Sequence, residues 1–188
     1  MWYLSKVREV LSQGSLNPKV LKTDGYNELL DVPMDGGIAM NIQADTTVLE
    51  YEVLFARKVQ RLYPRLKVVQ GDIRKLPFHD EEFDMVVDLS TIDHVSIKSV
   101  EGVLDGYKRV LKPGGKAIII VWLTSNPMVS EETEKRGEVW QSISQYFFPP
   151  DIFRSYLTER FSILSEEAVP DTGEEGDTWL KCFVVEKS

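Results

Sequence analysis

The sequence predicts an α/β fold in which a doubly wound, mostly parallel seven-stranded sheet ends in an antiparallel last strand. Two observations carry this prediction. Strand-like and helix-like segments alternate from residue 19 to residue 122, an order that is typical of parallel βαβ units joined by right-handed crossovers. The last two strand candidates are separated by residues 169–177, which are too few for a crossover helix, so these strands should pair antiparallel.

The amino-terminal elements follow from periodicity and punctuation. Leu4, Val7 and Leu11 recur at helical spacing and predict an amphipathic helix over 2–13, which Gly14 and Pro18 bound. Short apolar runs bounded by polar turns predict the first strands. Apolar positions at helical spacing predict a long helix after the second strand. These predicted elements are strands 19–22, 38–44, 66–70 and 83–89 and helix 48–63.

The carboxyl-terminal elements are predicted in the same way. A helix over 99–111 should stop before Pro113, and the β-branched run 116–122 should be a central strand covered on both faces. Residues 151–158 are predicted to be helical, and 161–168 and 178–186 are predicted to be strands. Between them, 123–150 is an insertion whose charged part, 131–138, is expected to be a solvated helix face.

Composition limits the class of protein. The chain has 188 residues and is expected to form one domain, with 1–18 as a helical cap and 123–150 as an insertion on the substrate side. A net charge of −8 argues against a nucleic-acid footprint. The lone Cys182 and the absence of a Cys/His cluster predict neither a disulfide nor a bound metal. With no long apolar segment and no signal-peptide core, we expect a cytoplasmic protein without a membrane partner.

Two stretches carry a family resemblance. Residues 66–87 read LKVVQGDIRKLPFHDEEFDMVV, and residues 107–116 read YKRVLKPGGK. Their order and spacing resemble the GD-x-x-x-LPF, FD-x-V and RVLKPGG pattern of small, type 11-like class I S-adenosylmethionine-dependent methyltransferases. The phrase STIDH at 90–94 resembles STLDH in one branch of these enzymes. The resemblance covers about residues 19 to 125 and implies a Rossmann-like methyltransferase fold that binds S-adenosylmethionine.

The resemblance assigns the family's glycine-rich loop to residues 20–28, VLKTDGYNE. Thr23, Asp24, Gly25 and Tyr26 would then bind the cofactor, with Asp24 and Gly25 at its methionine end, although only Gly25 is a glycine. The alternative is that Asp24 and Gly25 form an ordinary strand-to-helix turn. A carboxylate and an aromatic ring there suit a cationic ligand. A rival register takes 29–32 as the first strand and 35–37 as the loop, but it leaves too few residues before Asp45 for a helix and a strand.

The remaining cofactor contacts are predicted along the same strand ends. Asp45 stands twenty residues after Gly25, the spacing at which an acidic residue takes ribose hydroxyls, and Thr46 adjoins it; the alternative is that they cap the helix predicted at 48. The resemblance implies that Asp72 and Ile73 flank the adenine; the alternative is that they form a polar turn at a strand end. Three further residues would line the cofactor at the end of the fourth strand, namely Asp88, Leu89 and Ser90.

His94 is the predicted catalytic residue. It follows the fourth strand beside the place where the methyl group should point, and an ordinary imidazole can accept a proton near neutral pH. The alternative is a solvated histidine at a helix start. His79 lies in a charged loop tip and is expected to have no catalytic role. Trp140 and the aromatic run 146–148 either line an acceptor pocket or pack in the core.

Three functions are compatible with these features. The first is methyl transfer from S-adenosylmethionine to a small-molecule acceptor. The second is a non-catalytic methyltransferase-like binding or regulatory module, which the altered glycine loop favours. The third is a dinucleotide or nucleotide-sugar enzyme, which the absence of any G-x-G-x-x-G argues against.

Overall fold

The computed structural model describes residues 2–14, 16–25, 28–29, 37–126, 128–136, 139–170 and 177–188, and within 128–136 and 139–144 it describes the backbone alone. The helices in this part of the chain are Trp2–Leu11 (α1), Gly37–Asn41 (α2), Val53–Leu62 (α3), Val100–Val110 (α4) and Pro150–Thr158 (α5). The strands are Lys19–Lys22 (β1), Asp45–Glu50 (β2), Lys67–Gln70 (β3), Phe83–Leu89 (β4), Leu111–Thr124 (β5), Met128–Arg136 (β6), Val139–Phe147 (β7), Ser162–Ala168 (β8) and Thr178–Glu186 (β9).

Seven strands form one sheet in the order β3-β2-β1-β4-β5-β9-β8. The strands from β3 to β5 in this row run parallel, whereas β9 runs antiparallel to β5 and β8. The predicted fold class is therefore confirmed. β1 lies beside β4 with Leu21 opposite Val86, which confirms the register that begins the sheet at residue 19. Most of the rival loop lies outside the described residues.

Helices cover both faces of the sheet, so most residues of its central strands β1, β4 and β5 are buried. On one face, Leu104 and Tyr107 of α4 and Phe153 of α5 pack in a large apolar core that includes Ile119 of β5. On the other face, α1 packs on a second core that includes Ile118 of β5. Adjacent residues of β5 enter opposite cores because side chains alternate along a strand. No helix in the described part of the chain is long and apolar enough to span a membrane.

The second strand is not where the sequence predicted it. Residues 38–44 were expected to be a strand, but they contain helix α2, and the strand lies at Asp45–Glu50. Ile38, Ala39 and Ile42 are buried while Met40 is exposed, which is the spacing of a helix that buries one face. The β-branched residues of 46–48 favour the strand. The predicted helix 48–63 is correspondingly shorter and begins at Val53.

The 123–150 insertion also differs from the expectation. The described residues 131–136 do not form a helix face, and 137–138 lie outside the described residues; β6 and β7 form an antiparallel hairpin in which Met128 lies opposite Phe147. The hairpin is tied to the end of β5, because Phe148 donates its backbone N–H to Trp122 at 3.1 Å and the Trp122 and Phe147 rings meet edge to face with centroids 5.9 Å apart. Valine, isoleucine and aromatic residues along β7 favour a strand over a helix.

Candidate active site

Most of the predicted site residues lie at one end of the sheet, where the parallel strands have their carboxyl ends. The segment after β1 carries Thr23, Asp24 and Gly25, the segment after β3 carries 72–73, and the segment after β4 carries 90–94. The chain leaves β1 toward α2 and leaves β4 toward α4, and these two helices pack on opposite faces. In open α/β sheets, ligands bind in the crevice that such a reversal of direction creates at the carboxyl ends of the strands.

Asp45 and Thr46 do not lie at this carboxyl-terminal end of the sheet. Asp45 begins β2, opposite Lys19, and the length of the extended strand places it about 16 Å from the last residue. The ribose role predicted for Asp45 therefore rests on a wrong placement. The acidic residue at the carboxyl end of β2 is Glu50, opposite Gln70 of β3. The signal for it was present in the sequence, since the β-branched run 46–48 leads directly to this carboxylate.

Glu50 is joined to the loop after β1. Its carboxylate accepts the backbone N–H of Gly25 at 2.8 Å and that of Glu52 at 2.8 Å. A Cβ atom on Gly25 would lie 3.0 Å from the Glu50 carboxylate and 3.3 Å from Val59, so glycine permits this close approach. Burial raises the pKa of Glu50, although the two backbone donors oppose the rise.

A buried lysine lies under the same loop. Lys22, the last residue of β1, is fully buried, and its ammonium donates to the Asp24 carbonyl at 2.7 Å and to the Asp24 carboxylate at 3.1 Å. The Glu28 carboxylate lies 3.3 Å away and also accepts the backbone N–H of Ala39 at 3.1 Å. Burial opposes the charge of Lys22, but the two carboxylates raise its pKa above the ordinary value. With Glu50 nearby, the loop carries more carboxylates than cations.

Hydroxyl groups connect the loops after β1 and β4. The Thr23 hydroxyl donates to the Thr91 hydroxyl at 3.2 Å, and the Thr91 hydroxyl lies 3.5 Å from the Asp24 carboxylate. The Thr23 backbone N–H also donates to the Val87 carbonyl at 3.1 Å. Thr23 and Asp24 are therefore held against the β4 side of the crevice. Tyr26, predicted to bind the cofactor beside them, lies outside the described residues.

Asp72 lies beyond the carboxyl end of β3, as predicted, but its carboxylate already accepts hydrogen bonds from Arg74. Both of its carboxylate oxygens accept hydrogen bonds from Arg74, the shortest at 2.6 Å. These bonds hold the pKa of Asp72 below its ordinary value. Its neighbour Ile73 is buried in the core beneath α4. The adenine contact predicted for this pair stays a prediction, in which Asp72 would bind with lone pairs that Arg74 leaves available.

Asp88 does not face the crevice as predicted. It is fully buried, and its carboxylate accepts the Tyr107 hydroxyl at 2.5 Å and the backbone N–H groups of Thr91 and Ile92 at 2.7 and 3.3 Å. Asp88 therefore fixes the turn after β4 instead of lining the cofactor. Leu89 is also buried and packs in the core beneath α1. Burial raises the pKa of Asp88 to about 7.

Ser90, Asp93 and His94 form a cluster after β4. Ser90 has a φ angle of 63°, a left-handed conformation that is costly for a residue other than glycine and that recurs at functional sites. Its hydroxyl donates to Asp93 Oδ2 at 2.8 Å, and Asp93 is fully buried. The predicted base, His94, has its Nε2 atom 4.0 Å from Asp93 Oδ1 and is one-third exposed. Sequence reasoning did not assign Asp93, because adjacent side chains often diverge.

Comparison with known proteins identifies relatives of this fold. A methyltransferase-domain family model matches residues 35–119. Sterol 24-C-methyltransferase ERG6B of Gibberella zeae is 32% identical over 139 residues, which are 69% of this chain and 36% of that protein. The putative methyltransferase ECU09_1500 of Encephalitozoon cuniculi is 41% identical over 59 residues, 31% of this chain and 28% of that protein. The chain spans about a third of the length of these two relatives.

Solved structures share the whole fold at low identity. A structure described as an S-adenosylmethionine-dependent methyltransferase from Methanosarcina mazei aligns with a TM-score of 0.75 and 14% identity, over 95% of this chain and 96% of that one. The strand order, the sequence pattern at 66–87 and 107–116 and the matching family model agree with one another. The chain therefore has the fold of the class I S-adenosylmethionine-dependent methyltransferases and shares their sequence pattern at 66–87 and 107–116.

Proposed function

We propose that this protein transfers a methyl group from S-adenosylmethionine to a small-molecule acceptor. The observation that carries the proposal is the placement of Glu50 at the carboxyl end of β2, in contact with the loop after β1 and beside the crevice. A carboxylate in this position suits the two hydroxyls of a ribose. The methyltransferase relatives support the same reaction.

The charges of the crevice fit this cofactor. S-adenosylmethionine carries a sulfonium and an ammonium group against a single carboxylate, and it has no phosphate that would require a cradle of backbone amides. Among the described residues, Asp24 and Glu28 of the loop after β1 contact Lys22, and Glu50 of β2 accepts the backbone N–H of Gly25 in that loop. An excess of carboxylates attracts a cationic ligand, most strongly where burial lowers the effective dielectric constant.

The residues have separate roles in the proposed reaction. Glu50 would accept the ribose hydroxyls, Asp72 the adenine amino group, and Thr23 with Asp24 would contact the methionine end. The bound cofactor supplies an electrophilic methyl group on its sulfonium. His94 would accept the proton that the acceptor loses as it attacks, while the crevice holds the two reactants aligned.

The acceptor would lie beside the hairpin formed by β6 and β7. Gln145 of β7 approaches Asp93 to 3.5 Å, so the hairpin lies next to the segment that carries His94. The names of similar proteins indicate varied acceptors, since one acts on sterols and another is a glycopeptide N-methyltransferase with a TM-score of 0.70. We propose a small-molecule acceptor and a cytoplasmic location, and we assign no methylated atom.

A second candidate is a non-catalytic module of the same fold. Lys22 and Asp24 favour it, because they form a buried ion pair within the loop where the family has its glycines. Calorimetric titration with S-adenosylmethionine, S-adenosylhomocysteine and NAD separates the candidates. Binding of the first two ligands and not of NAD supports the methyltransferase. Binding of none of them supports the module and contradicts the proposed function.

A further inference from the structure

Asp93 is held by donors that all converge on one of its two carboxylate oxygens. Oδ2 accepts the Ser90 hydroxyl at 2.8 Å, the Trp122 backbone N–H at 3.3 Å and the Gln145 side-chain amide at 3.5 Å. These donors come from the turn after β4, from β5 and from β7. The orientation of the carboxylate is therefore fixed from three sides.

The other oxygen of Asp93 has no hydrogen-bond partner in the described part of the chain. Oδ1 is buried and receives no donor from the described residues. Burial raises the pKa of Asp93. A buried acceptor left without a donor destabilises the fold, and more so when it is charged, so most buried polar atoms have a partner. Such an exception at the edge of a ligand crevice calls for a functional explanation.

The group that faces this oxygen is the His94 ring. Nε2 of His94 is 4.0 Å from Oδ1, about one ångström beyond a hydrogen bond. His94 is one-third exposed and Asp93 is fully buried, so the ring is the partner with room to rotate.

We propose that Asp93 is the positioning residue of His94, with Oδ1 accepting the Nε2–H of the ring. This proposal deepens the proposed function and rests on it for its chemical purpose. A proton fixed on Nε2 makes Nδ1 the unprotonated nitrogen of the neutral ring. Nδ1 is then the atom that takes a proton from the methyl acceptor, and the buried carboxylate stabilises the imidazolium that forms.

The proton and the electrons balance in this step. The acceptor, written X–H, gives its proton to Nδ1 of His94. The electron pair of X forms the bond to the methyl carbon, and the pair of the broken carbon–sulfur bond stays on sulfur. The products are X–CH₃, S-adenosylhomocysteine and a protonated His94, which returns its proton to solvent.

The variant Asp93→Asn makes a specific prediction because the two oxygens are unequal. The three donors to Oδ2 require the amide oxygen at that position, which places the amide NH₂ at the position of Oδ1. That NH₂ is a donor, so it would force Nε2 of His94 to become the acceptor and would move the ring proton to Nδ1. The substitution preserves shape and thus reverses the tautomer without removing the side chain.

Nitrogen NMR of the full chain with ¹⁵N-labelled histidine tests this directly. The chain has two histidines, so His79→Gln assigns the spectrum. At pH 8, where an ordinary imidazole is neutral, the wild type should show a His94 Nε2–H that exchanges slowly with water. Asp93→Asn should show the proton on Nδ1. Asp80→Asn is the matched control, because Asp80 adjoins His79 but is 75% exposed; it should leave the His94 signals unchanged.

Each result of the NMR experiment either supports or overturns the proposed role of Asp93. An unprotected His94 ring proton in the wild type, or an unchanged tautomer in folded Asp93→Asn, would overturn the proposal. If Asp93→Asn does not fold, Ser90→Ala is compared with the wild type instead. Ser90→Ala removes one donor from Oδ2 and should leave the His94 ring proton on Nε2. A ring proton on Nδ1 in Ser90→Ala or in the wild type overturns the proposal. Titration with S-adenosylhomocysteine tests the proposed function separately, because the pair is observable without ligand.

Discussion

The buried lysine at the end of β1 allows a quantitative prediction about stability. Lys22 is fully buried and is compensated by the Asp24 and Glu28 carboxylates at 3.1 and 3.3 Å. Removing one partner of a buried ion pair costs about 3–5 kcal/mol, because the other partner is left as an uncompensated buried charge. Lys22→Met should therefore lower the free energy of unfolding by about 3–5 kcal/mol, mostly through the fully buried Glu28.

Urea unfolding followed by far-UV circular dichroism measures this loss. A decrease of that size would lower the melting temperature by about 6–20 °C in a chain of this length. The double variant Lys22→Met/Glu28→Gln should be more stable than the sum of the two single losses predicts, by at least about 1 kcal/mol, since the neutral amide oxygen still accepts the Ala39 N–H.

Lys112→Met is the matched control for this experiment. Lys112 also contacts a carboxylate, Asp84, at 2.8 Å, but its side chain is 41% exposed. Solvent-screened pairs contribute about 0–1 kcal/mol, so this variant should be nearly as stable as the wild type. If Lys22→Met were equally harmless, or if the double variant were simply additive, the buried ion pair would not stabilise the loop after β1.

Three further predictions concern the turn after β4 and the lone cysteine. Burial raises the pKa of Asp88 to about 7, so the folded state binds this proton more tightly than the unfolded state does. The associated stability is lost as pH rises from about 4 to 7, by up to about 1.4 kcal/mol per pH unit. Between pH 5 and pH 7.5, urea unfolding should therefore show a smaller loss of stability in Asp88→Asn than in the wild type. Ser90→Gly should be about 1 kcal/mol more stable than Ser90→Ala, because both lose the hydroxyl but only glycine relieves the left-handed φ angle; equal urea midpoints would refute this. Burial raises the pKa of Cys182 to about 12, so the native protein should react with a thiol reagent at pH 8 at least about tenfold more slowly than the urea-unfolded protein.

The parts of the fold predicted from sequence are those with unambiguous local signals. β1, β4 and β9 begin and end at the predicted residues. Each is a short apolar or alternating run bounded by polar turns, and the resemblance fixed their order. The antiparallel pairing of the last two strands followed from the short connection between them.

The parts that failed are those in which two periodicities overlap. Residues 38–50 contain apolar positions throughout, so pattern alone did not separate helix α2 from strand β2. The error displaced the acidic residue of the second strand from Glu50 to Asp45 and with it the predicted ribose contact. The hairpin was missed for a related reason, since the charged residues of 131–138 are compatible with a solvated helix face or with an exposed strand.

The site depended on contacts that local patterns do not encode. Asp88 stands in the predicted strand, but its burial against Tyr107 depends on the packing of α4. The pairing of Lys22 with Glu28 joins residues on either side of a turn. The placement of Asp93 depends on donors from β5 and β7, which lie far along the chain. Only the assembled sheet brings these groups together.

Calorimetric titration of S-adenosylhomocysteine into the wild type, Glu50→Gln and Asp45→Asn tests the central claim most directly. Both acids lie on β2, one at each end, so each variant serves as the control for the other. The wild type should bind S-adenosylhomocysteine, and Asp45→Asn should bind it equally well. Glu50→Gln should bind it at least about tenfold more weakly, because a hydrogen bond to a charged acceptor contributes about 1.5–3 kcal/mol. No binding to the wild type, or a loss confined to Asp45→Asn, would contradict the account.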